Sequence, residues 1–213
     1  MRIFFGRKYY FFLVLFFCGI DMYFTLLTVH PDKKSLSHQF SKIVFEILEK
    51  SHKVEWIDLY DDSKGNFDFL TFWDDKILSN DLELRMWREK QVKKTDKFIV
   101  FFPIWWNDAP AKFKNWYENV FTAHFAYSYR KNWHSPLLKG KHFEFIATCD
   151  SPSLLYRLFP LSLWFVWFMK LYITGIKLDK VTIFGNIHKK KKNPESLSQI
   201  FEKVKKLARK MEK

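Results

Sequence analysis

Two adjacent tryptophans, Trp105 and Trp106, stand in the short stretch Pro103-Ile104-Trp105-Trp106-Asn107-Asp108-Ala109-Pro110. Indoles in a loop bracketed by prolines suit a wall against a planar ligand, with the loop's backbone amides facing a ring edge. A packed loop or a dimer contact would use the same residues. A second stretch, His30-Pro31-Asp32-Lys33-Lys34-Ser35-Leu36-Ser37, runs into helical periodicity. Ser35 or Ser37 can cap that helix, and the free amides at its start can hold a phosphate, with Lys34 adding charge. A simple N-cap explains the serines equally. A third, Thr148 to Tyr156, brings a hydroxyl, a thiol and a phenol together. The glycine fingerprint of dinucleotide-binding dehydrogenases is absent, because the 6 glycines are scattered, and no Walker loop is present.

The elements needed to position these stretches follow from hydrophobic period. Met22–Val29 reads as a first strand. Leu36, Phe40, Ile43, Val44, Ile47 and Leu48 recur at helical spacing from about Ser35 to Lys50. Val54–Leu59 reads as a second strand and Tyr60–Asn80 as a long loop with Gly65 in a turn. A weak helix covers roughly Asp81–Lys94. Phe98–Phe102 is continuously apolar, as in a central strand covered on both faces. Pro110 fits the first turn of a helix carrying Phe113, Trp116, Tyr117 and Val120. Phe143–Thr148 is a fourth strand. Leu154–Thr174 is a broken helical run that Gly175 caps, and Lys180–Phe184 is a fifth strand. Asn193-Pro194 begins a last helix with Leu197, Ile200, Phe201, Val204 and Leu207 on one face. Strands alternating with helices imply one α/β domain, 22–213, in three layers. The expected form is a flavodoxin-like, doubly wound sheet of five parallel strands in the order 2-1-3-4-5. Ligands of such sheets bind beyond the carboxyl ends of the strands, where the three stretches above arrive.

Composition adds broader bounds. Aromatic residues make up 20% of the chain, with 25 Phe, 9 Trp and 9 Tyr, which suits a planar ligand, a membrane interface or a bias towards Phe and Lys. The formal net charge is +13, much of it in the tail from His188 through Lys189–Lys192 to Lys213. No nucleic-acid motif accompanies that tail, and its final stretch reads as an amphipathic helix with a solvated lysine face. Its field favours encounter with phosphate-bearing cofactors. The two cysteines, Cys18 and Cys149, support neither a disulfide framework nor a zinc site, and a reducing cytoplasm is the expected compartment. Residues 1–21 form an extension in which Arg2, Arg7 and Lys8 precede an apolar run, Tyr9–Ile20. That run is short for a membrane span. An upstream extension or a misassigned start at Met22 is expected, with a signal anchor at the inner membrane as the rival.

Phe98–Tyr129, reading FIVFFPIWWNDAPAKFKNWYENVFTAHFAYSY, resembles the NAD(P)H dehydrogenase (quinone) family of flavodoxin-like proteins. The resemblance rests on the strand, the P-x-W-W loop, the P-A-x-x-K helix and the final F-A-Y-x-Y. The His30-Pro31 to Ser37 loop and Leu137-Leu138-Lys139-Gly140-Lys141 match in type and order. It implies tightly bound FAD or FMN, NAD(P)H as hydride donor, a quinone-like acceptor and a homodimer. His30, Lys34, Ser35 and Ser37 would then lie along the flavin's phosphate arm. Pro103, Ile104, Trp105, Trp106 and Asn107 would contact its ring system, and Thr148 would sit at the ring edge. Tyr127 and Tyr129 would close over the substrate face from the partner subunit, and Tyr156 would hydrogen-bond the reduced flavin or the quinone oxygen. The chain departs from many relatives at Cys149-Asp150, where they carry glycines, at Asn107-Asp108, where small residues are common, and near Ser162, where the best-known relatives carry a relay histidine. The resemblance also admits a second role, an ancillary flavin-binding subunit of a membrane potassium efflux system.

Overall fold

A computed structural model describes residues 21–61, 67–68, 82–130, 133–158 and 163–212. The expectations for residues 1–20, for Gly65 and most of the loop around it, and for Ser162 lie outside the described residues. The elements are β1 (Tyr23–Thr28), α1 (Leu36–Leu48), β2 (Lys53–Asp58), α2 (Leu82–Lys94), β3 (Lys97–Pro103), α3 (Ala111–Val120), β4 (Tyr127–Arg130), β5 (Trp133–Pro136), β6 (His142–Thr148), α4 (Ser153–Leu158), α5 (Leu163–Thr174), β7 (Lys177–Phe184), α6 (Ile187–Lys191) and α7 (Pro194–Met211).

Five strands form one parallel sheet in the order β2-β1-β3-β6-β7, the expected 2-1-3-4-5 once the separate hairpin β4–β5 is set aside. Alternation along β3 builds two cores. Phe98, Val100 and Phe102 point to the side of α3 and α5, while Ile99 and Phe101 point to the side of α1 and α7. The first core absorbs much of the aromatic surplus. Phe98 stacks on Phe143 at 4.6 Å, Phe113 on Trp167 at 4.6 Å, and Tyr117 on Phe121 at 4.4 Å. Much of the aromatic content among the described residues is therefore core material.

Two expectations, the place of Pro110 and the start of β7, are corrected by local physics. The described residues of the run Leu154–Thr174 lie in α4 and α5. Gly175 does end α5, with a φ of +84° and its N–H on the Tyr172 carbonyl at 3.0 Å. Pro110 is the N-cap residue and stands one position before the first turn of α3. β7 begins at Lys177, because Asp179 bulges out between the pairs Phe143–Leu178 and Glu144–Lys180, so charged residues occupy strand positions. Lys189–Lys191 come before the last helix, which starts after Asn193 as expected. They lie in the short helix α6, anchored by buried Ile187, at the carboxyl end of the sheet. The hairpin β4–β5 had no expected counterpart.

Candidate functional site

The loops after β1, β3, β6 and β7 enclose a cleft of about 200 Å³ beyond the carboxyl ends of the strands. Its floor is set by strand pairing: Pro103 lies beside Thr148 at the end of the β3–β6 ladder, and Ile104 N–H donates to the Thr148 carbonyl at 2.7 Å. Loops start here because the sheet's last ladder bonds fall at these residues.

The loop after β1 folds on its own polar groups. Asp32 Oδ1 accepts from Lys34 N–H at 2.8 Å, and the Asp32 carbonyl accepts from Ser35 N–H at 3.0 Å. His30 Nδ1 accepts from Asp32 N–H at 2.9 Å, and burial holds the His30 imidazole below its ordinary value despite nearby Asp32. Ser35 is the N-cap of α1: its backbone is extended and its Oγ accepts weakly from His38 N–H at 3.4 Å. The first amides of a helix have no intrahelical acceptor, and Leu36 and Ser37 carry two of them at the cleft wall. Ser37 is 2% exposed, and its Oγ has no hydrogen-bond partner. A buried hydroxyl left unpaired is costly, and Ser37 is a residue of the cleft lining.

The loop after β3 is a two-residue β-turn. Trp105 N–H and Asp108 N–H exchange bonds with each other's carbonyls at 2.9 and 3.0 Å, with Trp106 and Asn107 at φ of +48° and +65°. Positive φ at both central residues defines a type I′ turn, natural for Asn and strained for Trp. Trp106 stands fully in solvent, while Trp105 tilts against His30 with ring centroids 5.8 Å apart. Asp108 turns away from the cleft: its Oδ1 accepts from Ala109 N–H and from Trp167 Nε1–H, each at 2.7 Å. The acidic side chain therefore ties the loop to α5 and leaves the cleft unnarrowed.

The loop after β6 is zipped to α6. Cys149 N–H donates to the Phe184 carbonyl at 3.0 Å, Ile187 N–H to the Cys149 carbonyl at 3.1 Å, and His188 N–H to Asp150 Oδ1 at 2.8 Å. Gly185 makes this possible, since a Cβ there would meet Ser153 N at 2.3 Å. Burial pushes the Cys149 thiol up, with Asp150 adding to the effect, so the sulfur is a protonated wall atom.

Seven anticipated residues thus line one cleft: His30, Ser35, Ser37, Pro103, Ile104, Trp105 and Thr148. Lys34 is exposed beside it, and Trp106 and Asn107 project from the turn tip. Tyr156 packs half-buried against the first core, its phenol pushed up by burial. Tyr127 and Tyr129 form a T-shaped pair at 5.7 Å on the hairpin and do not line the cleft. Leu36, Cys149, Asp150, Ile187 and Lys191 line it as well. Lys191 was detectable as the cation following the fifth strand's carboxyl end, but the lysine run disguised it as a tail. Among the described residues no group of three His, Cys, Asp or Glu side chains is placed to hold a metal.

The sequence matches the flavodoxin-like fold family over residues 22–207. The chain belongs to that family. Among solved structures, Smu.1420 from Streptococcus mutans UA159 is 27% identical with a TM-score of 0.75, covering 89% of this chain and 100% of that one. The FMN-dependent NADH-azoreductase of Bacillus anthracis, solved with FMN, is 17% identical with a TM-score of 0.72, covering 90% and 100%, a likeness of fold. NAD(P)H dehydrogenase [quinone] 1 of Cavia porcellus is 46% identical over 41 residues, 19% of this chain and 15% of that protein. The chain spans less than half the length of the curated relatives it matches. No helix among the described residues of this flavodoxin-like chain is long and apolar enough to cross a membrane.

Proposed function

We propose that this protein is a flavin-dependent NAD(P)H oxidoreductase that delivers hydride to a quinone-like acceptor. The observation that carries the reading is the orphaned, buried Ser37 hydroxyl in a cleft at the β1–β3 switch point, beside the free amides of α1. That donor set fits a flavin's phosphate, of FMN or of FAD. A bound flavin would supply the ring that accepts and passes on hydride. Ser37 Oγ–H and the Leu36 and Ser37 amides would bind the phosphate, with Lys191 as counter-charge and exposed Lys34 steering the encounter. His30 would lie along the same arm.

Ile104 and Trp105 would wall one side of the ring, and Thr148 would meet its edge. Trp106 and Asn107 would reach the ring or its substrate from the turn tip. Tyr156, kept protonated by burial, would serve as a hydroxyl donor to developing negative charge. Tyr127 and Tyr129 would complete the substrate face of a second copy in a homodimer. The exposed ring ladder of α5, with Trp164 on Phe168 at 5.0 Å and Phe168 on Tyr172 at 6.0 Å, offers the apolar area that such a dimer needs. The named activity of the Cavia porcellus relative and the FMN of the Bacillus anthracis structure support the same reading.

The test is direct. The purified chain should be yellow or take up flavin, and should oxidise NADH or NADPH only when a quinone is supplied. A chain that binds neither FMN nor FAD overturns the reading.

A further inference from the structure

Behind the cleft wall, three side chains form a line that ligand binding alone does not require. Ser35 Oγ lies 3.0 Å from His38 Nδ1, and His38 Nε2 lies 2.8 Å from Asp58 Oδ2. Lys33 Nζ also contacts Asp58, whose other oxygen accepts from Tyr60 N–H at 2.9 Å. Ser35 and His38 are 6% and 8% exposed. Burial alone would raise the Asp58 carboxyl, but the bonds from His38 and Lys33 outweigh it and hold Asp58 below its ordinary value.

An ionised Asp58 settles which proton His38 carries. Nε2 must bear a hydrogen, because a lone pair facing the carboxylate would be repelled. In the neutral imidazole Nδ1 is then an acceptor, and it draws the Ser35 hydroxyl hydrogen towards itself. Ser35 presents only lone pairs to the cleft in that state, which an anion repels. In the imidazolium Nδ1–H donates to Ser35 Oγ, and the hydroxyl hydrogen is released to face the cleft.

We propose that His38, held by Asp58, sets the polarity of the Ser35 hydroxyl, so that capture of a phosphate in this cleft is coupled to uptake of one proton by His38. The inference rests on the cleft holding a flavin's phosphate. Ser37, unpartnered in the same wall, is a donor at every pH, whereas Ser35 is a donor only when His38 is charged. The other charged and titratable groups around His38 are Lys33, Asp32 and His30 on the loop after β1, Asp58 and Tyr60 at the end of β2, and Lys191 across the cleft on α6. His30 is held towards its neutral form by burial. His38 is a positioning residue acting through Ser35.

The experiment compares FMN, FAD and riboflavin, which lacks the phosphate, on the full chain freed of resident flavin. Calorimetry near pH 8 in two buffers of different ionisation heat should show FMN and FAD taking up close to one proton more than riboflavin. The preference for FMN over riboflavin should fall by more than tenfold, and by at most about a hundredfold, between about pH 6.5 and 8.5, because one proton taken up per ligand lowers affinity about tenfold per pH unit. The phosphomonoester's own second ionisation, near pH 6, pushes the preference the opposite way, and the FAD arm is free of it. His38→Asn should bind FMN with neither proton uptake nor the slope, and Ser35→Thr should keep both. Flavins that all bind without differential proton uptake in the wild-type chain overturn the proposal and leave the flavin site standing. Failure of all three to bind overturns the flavin site itself. The wild-type calorimetry decides the matter even where a variant does not fold.

Discussion

The two ends of the sheet use their polar groups in opposite ways. At the amino end, Lys97 bridges buried Glu144 at 2.8 Å and the bulged Asp179 at 3.1 Å, and His142 closes on Asp179 at 2.8 Å. Lys141 Nζ donates to the carbonyls of Thr95 and Lys93 at 2.6 and 2.9 Å, ending the turn after α2. The groups of that network answer one another, and the cavity of about 600 Å³ at the start of β7 is lined instead largely by apolar groups of Pro136, Phe168, Tyr172, Ile176 and Leu178. At the carboxyl end, a buried hydroxyl lacks a partner, a tryptophan occupies a left-handed turn position, and an indole stands wholly in solvent. Charge density alone does not mark a site in this molecule. Unsatisfied capacity next to empty space does.

The largest effect should come from breaking the closed end. Glu144→Ala leaves the Lys97 ammonium buried beside a single remaining carboxylate and should cost about 3 kcal/mol of stability by urea unfolding. Flavin affinity per folded molecule should stay unchanged; a large loss of affinity would show that the two ends are coupled. At the open end, Ser37→Ala should do the reverse. Removing an unpaired buried hydroxyl leaves stability within about 0.5 kcal/mol while weakening FMN binding about tenfold, and riboflavin binding much less. Trp106→Gly should relieve the positive-φ turn and stabilise the chain by up to about 1 kcal/mol, with weakened flavin or substrate binding as the cost. A stability loss instead would mean that Trp106 packs on something outside this chain.

The smallest effect concerns acid. Asp58 and Asp179, one at each end, are both held below the ordinary carboxylate range by imidazole and ammonium partners that outweigh burial. A depressed carboxyl stabilises the fold above its unfolded pKa, and that contribution is lost as pH falls through the lower folded value. Stability should therefore drop below about pH 4, with Asp58→Asn and Asp179→Asn each flattening part of that limb. An unchanged acid limb in both variants would show that neither pairing matters to folding.

Much of the architecture was legible in the sequence because period is a local property. Phe98–Phe102 read as a covered strand, and Gly175, Asn193 and the pair Ser35 or Ser37, of which Ser35 is the cap, each announced a helix end through cap chemistry. The bulge at Asp179 and the hairpin of Tyr127–Arg130 with Trp133–Pro136 were not legible. The first hides charged residues inside a strand, and the second depends on a cross-strand register that no local window contains. The site divides in the same way. His30, Ser35, Ser37, Pro103, Ile104, Trp105 and Thr148 lie at strand ends, and the rule that ligands sit beyond carboxyl ends suffices to gather them.

What the sequence by itself determined, then, was the order of elements, the parallel sheet they imply, and the loops that must meet at one end. The tertiary structure alone decided which side chains on those loops face the cleft. It turned Asp108 to Trp167, brought Lys191 across from α6, aligned His38 between Ser35 and Asp58, and left Ser37 without a partner. Those outcomes join residues as distant in sequence as His30 and Lys191 or rest on a rotamer, and only packing fixes such distances and orientations.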